Sequence, residues 1–510
     1  MDAHDRRLGA LTLALALVTG CSTAPSAAPG SGPPPSIAPT QQPTSAPATP
    51  GELALADAVR AGISVDDILA DLRRLQDIAD ANSGTRAAGT PGYDASADFV
   101  AAELQAAGFV VKREPATVTA FSQTAPSVLA VTGGPAFEDV RDFKAMTLSP
   151  SGDVTGRLVA LGFDPNAQPA DRNGLGCNAA DWEGVPAGSI VLVQPGPCRR
   201  HDAVVLAQDA GVVALLTSYA AWPRDGVLRP TLVTADDIRI PVLGTTGAVG
   251  TALAAAAADG ATAHVATSTS VAEVQSTNVI AESTWGDPVH VVMLGAHLDS
   301  VLDGPGINDN GSGTMTILEI ARTMAELARS RPAGAEPAWK LRVAFWTGEE
   351  TGLFGSAAHA NRLTAGDITA TAAYLNFDMV GSPNGLRVVY QEANPPRPAA
   401  ETAISGLFAD ALALEGLAWE PMAVGAASDH YPFQQAGIPI GGLYSGSNEM
   451  KSPVQAATFG GEANAPLDAC YHLACDTIAN VDATLLGELA RAAAWVLGRL
   501  ASGEVALPAS

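Results

Sequence analysis

Apolar positions at helical spacing open the folded part of the chain. Ile68, Leu69, Leu72, Leu75 and Ile78 recur every three or four residues, so the pattern predicts a helix over 63–78. A turn-rich stretch follows, Gly84-Thr-Arg-Ala-Ala-Gly-Thr-Pro-Gly92. A second helix is predicted over 93–107, with Pro91 near its start and Gly108 just past its end. Between 122 and 267 the pattern changes to short apolar β-like runs, at 158–161, 190–193, 212–216 and 240–243, with one predicted helix over 202–210. From Asn278 it becomes strand, loop and helix in repetition. The run 289–294 is apolar but for His290, as in a parallel strand covered on both faces. A helix is predicted over 312–327, strands over 341–346 and 373–377, and a helix starting over 356–361. This alternation predicts an α/β fold, a doubly wound and mostly parallel sheet flanked by helices. The main domain is then discontinuous, 53–121 plus 272–503, around an inserted, small, β-rich domain at 122–271.

The N-terminus reads as an export signal. Arg6 and Arg7 precede an apolar run over 8–18, too short to span a bilayer. It ends in Val18-Thr19-Gly20-Cys21, which resembles a bacterial lipobox, so 1–21 reads as a lipoprotein signal peptide with Cys21 lipidated. The plainer alternative is an ordinary signal peptide with Cys21 incidental. Residues 22–52 are rich in Pro, Ser and Ala and form a tether with little to bury. The expectation is an exported protein, a cell-surface lipoprotein or a secreted one, meeting membrane only through the lipid at Cys21. The apolar stretch 252–263 is short and broken by Asp259-Gly260, so it is not a span.

Charge narrows the function classes. The net charge of -25, from 53 acidic and 28 basic residues, argues against nucleic-acid binding. Five cysteines fit an oxidising compartment. Beyond Cys21 they fall into two local pairs, Cys177 with Cys198 and Cys470 with Cys475, although four cysteines allow three pairings. Zinc-thiolate ligation is the weaker alternative, because the spacings are not those of a zinc ribbon.

In an open α/β sheet, sites lie beyond the carboxyl ends of strands. Three predicted strands end in ligand-type residues: Gly295-Ala-His297-Leu-Asp299-Ser300, Gly348-Glu349-Glu350 and Asn376-Phe-Asp378. Asp309 sits in the glycine-rich loop Gly304-Pro-Gly-Ile-Asn-Asp309-Asn-Gly-Ser-Gly313, and His472 in Cys470-Tyr-His472-Leu-Ala-Cys475-Asp. Imidazole and carboxylate without thiolate suit zinc in a hydrolytic site. Two His and three carboxylates suit two metals better than one. Phosphate binding by the glycine-rich loop is set aside: it lacks a P-loop Lys, and Asp303 and Asp309 would repel the ligand.

These segments, together with Gly89-Thr-Pro-Gly-Tyr-Asp94, Thr347 to Gly355, Tyr374 to Gly381 and Ser428-Asp-His, resemble the bacterial secreted di-zinc aminopeptidase family. Its relatives include aminopeptidase Y and the glutamate carboxypeptidase and transferrin-receptor ectodomains. Gly188-Ser-Ile-Val-Leu-Val, Gly196-Pro-Cys and Ala207-Gln-Asp-Ala-Gly211 resemble a protease-associated domain, departing from it at Arg199-Arg200-His201. The resemblance implies the zinc exopeptidase fold and two Zn2+ per chain. By matching position, His297 and Asp378 would bind one zinc, Glu350 and His472 the other, and Asp309 would bridge. Glu349 would be the general base, Asp299 would orient His297, and Tyr471 would hydrogen-bond the developing oxyanion. A Cys470–Cys475 disulfide would fix the Tyr471-His472 loop. The implied partners are peptides with a free N-terminus, acted on by a monomer.

One departure stands out. The family commonly has an Arg just before Ser-Asp-His, helping to hold the substrate's N-terminal end; here it is Ala427. Amine recognition then falls to Glu349 and Asp378, or to an insertion carboxylate such as Asp236 or Asp237. His4, His201, His264, His290 and His359 read as ordinary packed or exposed residues. His430 reads as support for the pocket wall. A carboxypeptidase or dipeptidase of the same fold is the first alternative function, and a non-catalytic binding ectodomain the second.

Overall fold

The computed structural model describes residues 54–164, 175–218, 227, 229–332, 336–392 and 395–508. The signal segment, Cys21 and the tether lie outside them. Among the described residues no helix is long and apolar enough to cross a membrane.

The helix expected over 63–78 is Val65–Ala81, and a separate helix, Leu55–Gly62, precedes it. Ile63 is extended, and Ser64 caps the second helix by accepting a hydrogen bond from the Asp67 N–H at 3.2 Å. Pro91–Ala107 is capped by Thr90 and stopped by Gly108 in the left-handed region, φ 94°.

The central sheet carries four adjacent parallel strands in the spatial order Ile440–Tyr444, Thr371–Phe377, Asp287–His297 and Trp339–Trp346. Asp287–His297 is buried from Val291 onward, which explains the apolar run 291–294, while Val289 and His290 are exposed. Each such Val or Leu contributes about 1.5–3 kcal/mol on burial, so Leu294→Ala would open a cavity costing about 2–5 kcal/mol. Two short strands, Val388–Tyr390 and Glu420–Met422, complete one edge. The helix Gly313–Ser330 packs its buried stripe, including Ile317, Ile320, Ala321 and Met324, into the same core.

The largest feature absent from the sequence reading is a long antiparallel ribbon. Val110–Val131 pairs with Thr262–Glu282 along nearly its whole length. At one end, residues 279–282 pair with Trp339–Trp346 in the central sheet. At the other, residues 262–267 pair with Gly152–Leu161 in the insertion. There Gly152–Leu161, Ile190–Val193, Ala214–Ser218 and Val242–Thr245 run parallel, with Phe143–Ala145 antiparallel at the edge. This smaller sheet has its own core, in which Ile190, Val191, Leu192, Leu216 and Val242 are fully buried. Two helices pack on it, Arg200–Asp209, which matches the helix expected over 202–210, and Gly247–Ala258. A disulfide joins Cys177 to Cys198. The insertion is fastened to the main domain by Asp303, whose carboxylate meets Lys144 at 3.0 Å and Arg229 at 2.9 Å.

Candidate metal centre

His297 is the last residue of Asp287–His297, and Asp378 follows directly on Thr371–Phe377. These strands pair in parallel, so both side chains emerge at the same sheet edge. Glu349 and Glu350 follow the neighbouring Trp339–Trp346 through the turn at Gly348, where φ is 68°. Asp309 arrives from the glycine-rich loop before Gly313–Ser330. The loop is held by Asp476, whose carboxylate accepts from Asn308 N at 2.9 Å and Asp309 N at 3.0 Å. Burial, reinforced by Asp468, pushes Asp476 up to about 8. Arg86 is fully buried and donates to the carbonyls of Leu298, Pro305 and Gly306. Burial lowers it to about 10, against the pull of Asp299 and Asp476. Sequence reasoning assigned neither residue a role, although Arg86 lies inside the quoted 84–92 loop.

The side chains form two groups sharing Asp309. His297 Nε2 stands 3.3 Å from Asp309 Oδ1 and 3.3 Å from Asp378 Oδ1. His472 Nε2 stands 3.1 Å from Asp309 Oδ2 and 3.1 Å from Glu350 Oε2. Donor atoms of His297, Asp309 and Glu350 lie within 4.8 Å of one another. Glu349 belongs to neither group; its Oε2 is 4.0 Å from His297 Nε2. His297 Nδ1 meets the backbone carbonyl of Asp299 at 3.0 Å, with the Asp299 carboxylate at 3.8 Å. That carboxylate instead accepts from the N–H groups of Glu349 at 3.2 Å and Glu350 at 3.4 Å, tying two strand ends together.

His472 has φ 59° and Met379, next to Asp378, φ 53°. A non-glycine residue in this region costs about 1–2 kcal/mol, which the surroundings must hold down. For His472 the holding elements are the Cys470–Cys475 disulfide and the Leu473 N–H donated to Cys470 O at 2.9 Å. Tyr471 stacks on His472 with ring centroids 3.7 Å apart. Ser428 donates to Asp378 Oδ2 at 2.6 Å and accepts from Asn376 at 2.9 Å. His430 stays out of the cluster; its Nε2 meets the Gly425 carbonyl at 2.7 Å. His359 is packed against Trp346, with Nδ1 3.0 Å from Glu114. His201, His264 and His290 each meet a nearby Asp, and His4 lies outside the described residues.

Burial and crowding shift every member whose titration departs from normal. Burial pushes Glu349 well above its usual range, opposed by His297. It raises Glu350 against His472, and raises Asp299 to about 7 against His297. Asp309 goes the other way: burial opposes, but its contacts to His297 and His472 hold it low. Burial disfavours charged His472, yet Glu350 and Asp309 lift it to about 10. The four carboxylates Asp309, Glu349, Glu350 and Asp378 have only two imidazoles among them in these contacts. Buried Glu350 Oε1 has no hydrogen-bond partner among the described residues. This excess of buried carboxylates suits divalent metal, and the nitrogen and oxygen donors suit zinc.

Two cavities reach this cluster. The first, about 250 Å³, is lined by Glu349, Asp378, Met379, Val424, Tyr444 and Glu449 among others, with Ala427 in its wall. No Lys or Arg stands among its described lining residues. The second, about 290 Å³, touches Glu350 and His472 on one side and Thr147 and Arg229 of the insertion on the other. Asp236 and Asp237 line neither; their backbone carbonyls are taken by His201 and Gln208.

Residues 278–497 match peptidase family M28, and 154–253 match the PA domain. An aminopeptidase of Pseudomonas aeruginosa (strain UCBPP-PA14) is 36% identical over 428 residues, 82% of this chain and 78% of that protein. A probable lipoprotein aminopeptidase, LpqL, of Mycobacterium tuberculosis is 36% identical over 459 residues, covering 88% of this chain and 87% of that one. Among solved structures, the aminopeptidase from Aneurinibacillus sp. strain AM-1 superposes with TM-score 0.66 at 24% identity, over 89% of this chain and 98% of that one. The zinc aminopeptidase BSAP from Bacillus subtilis gives 0.62 at 22% identity, over 84% and 94%. At these identities the superpositions speak to the fold.

Proposed function

This chain belongs to peptidase family M28, and on that footing we propose that it is a zinc-dependent aminopeptidase releasing N-terminal residues from peptides. One observation carries the choice of end. The cavity beside the cluster presents Glu349 and Asp378 and no Lys or Arg among its described lining residues. Such a wall attracts the ammonium of a free N-terminus and repels a C-terminal carboxylate, which sets the carboxypeptidase reading second. The relatives named aminopeptidase support it.

His297 and Asp378 would hold one zinc, Glu350 and His472 the second, with Asp309 between them. When bound, such a pair supplies Lewis acidity and lowers the pKa of coordinated water. The protein's own groups do the proton work. Glu349, in neither group, takes a proton from the attacking water as its oxygen bonds to the peptide carbonyl carbon. It then gives that proton to the amine nitrogen as the C–N bond breaks. Tyr471, in the cavity wall, donates to the carbonyl oxygen as charge builds on it. Asp299 holds Glu349, Glu350 and His297 in register through the contacts described above.

We place the enzyme outside the cytoplasm, as a monomer tethered through lipid on Cys21. The lipobox-like sequence supports the export and the anchor, as does the lipoprotein relative. The test is a set of peptides with free or acetylated N-termini, assayed with metal analysis. Release of N-terminal residues from the free peptides only, with two zinc ions per chain, is expected. Efficient cleavage of the acetylated peptides would put the carboxypeptidase reading first.

A further inference from the structure

Strand Ile440–Tyr444 lies parallel to Thr371–Phe377 with Leu443 opposite Phe377. Tyr444 and Asp378 therefore leave the sheet side by side, and the loop after Tyr444 builds the far wall of the acidic cavity. Gly446, at φ 112°, turns that loop back. Glu449 is thereby brought to the cavity. Its carboxylate is held from one side by neutral donors. The Tyr444 hydroxyl spans both oxygens at 3.0 and 3.1 Å, and Ser447 gives its N–H at 2.8 Å and its hydroxyl at 3.0 Å to Oε2. Among the described residues no Lys, Arg or His forms an ion pair with Glu449. Neutral donors fix a carboxylate's direction without cancelling its charge. Met379, Met422 and Val424 give the same cavity an apolar lining.

The cavity therefore combines the acidic cluster, an apolar lining and an oriented, unbalanced and exposed carboxylate. A straight aliphatic side chain ending in a cation matches that combination, its methylenes against the apolar lining and its charge at Glu449. We propose that Glu449 is a specificity-determining residue that favours substrates whose N-terminal residue is lysine or another long cationic side chain. This deepens the aminopeptidase reading and rests on it.

The comparison of choice is lysine against norleucine, which has the same straight chain without the ammonium. Both are presented as N-terminally free 4-nitroanilides to the zinc-loaded enzyme and to Glu449→Gln, which keeps the shape. Glu449 is exposed, so the effect is that of a surface pair, about three- to fivefold in kcat/KM. The wild type is expected to prefer lysine by that factor, and Glu449→Gln to lose the preference while cleaving norleucine as before. Added salt should erode the same preference. Free lysine should inhibit the wild type more strongly than free norleucine, a reading that needs no variant. An equal lysine-to-norleucine ratio in the two proteins overturns the proposal. So does an equal fall for both substrates, which would assign Glu449 to the α-amine. Failure of the wild type to cleave either anilide would overturn the aminopeptidase reading, and this inference with it.

Discussion

At the carboxyl ends of the central strands, His297, Asp299, Asp309 and Asp476 are each at most 5% exposed, and acidic groups outnumber their partners. In the insertion the buried polar side chains are mostly hydroxyls, Ser149, Ser189, Thr217 and Ser218, and buried Lys144 is paired with Asp303. The two regions have similar apolar layers but opposite polar interiors. Burying unbalanced charge destabilises a fold by several kcal/mol per ion. A sheet that keeps such a cluster does so for chemistry, and one that keeps only paired or neutral groups is built for stability and shape.

Variants can break that contrast. The largest effect is expected at Asp309, because each of its oxygens faces one group. Asp309→Ala should strip both zinc ions and lower turnover at least about a thousandfold; full zinc content by metal analysis would break the distinction. Glu349→Ala should keep its zinc and lose at least about a hundredfold in kcat. Near-normal turnover would remove Glu349 from the base role.

The disulfides differ between the two regions as well. The insertion's bridge spans 21 residues and the other only 5. Loop entropy gives them about 3 and about 2 kcal/mol respectively. Replacing Cys177 and Cys198 by Ser should thus cost more stability in denaturant unfolding yet leave zinc affinity intact. Replacing Cys470 and Cys475 should cost less stability but weaken zinc retention, because it frees the turn holding His472. The reverse assignment would mean that the bridges serve the same purpose. The smallest expected effect is at the fastening. Arg229→Ala leaves Asp303 with Lys144 alone and should cost about 1–3 kcal/mol, with kcat/KM for a short substrate within about twofold.

The chain discloses unequally what it builds. Parallel strands such as Asp287–His297 were legible because burial on both faces from Val291 onward leaves an apolar run, and the residues at their carboxyl ends were legible because the fold puts sites there. The ribbon was not. Its half-exposed strands carry Thr, Ser and Gln on both faces, with Pro115 and Pro126 inside one of them, so neither a clean alternation nor an apolar run survives. Strands of three residues, such as Val388–Tyr390, are too short to show a period. Asp476 and Glu449 were missed for another reason. An acid that holds a loop or faces a pocket reads in sequence like one on the surface, and only the fold gives it a neighbour.

The ribbon also bears on how such a chain can change over generations. On it Phe121 lies opposite Val271 and Ser122 opposite Ser270. The path into the insertion and the path out of it therefore run side by side, about 4.5–5.5 Å apart. A module attached in this way can be gained, lost or exchanged by closing or reopening one hairpin, without reordering the host strands. None of the five residues in the two groups around Asp309 lies within it. Variation in the module can reshape the approach to the cluster from the Arg229 side, while the groups that would perform the chemistry stay where the host sheet puts them.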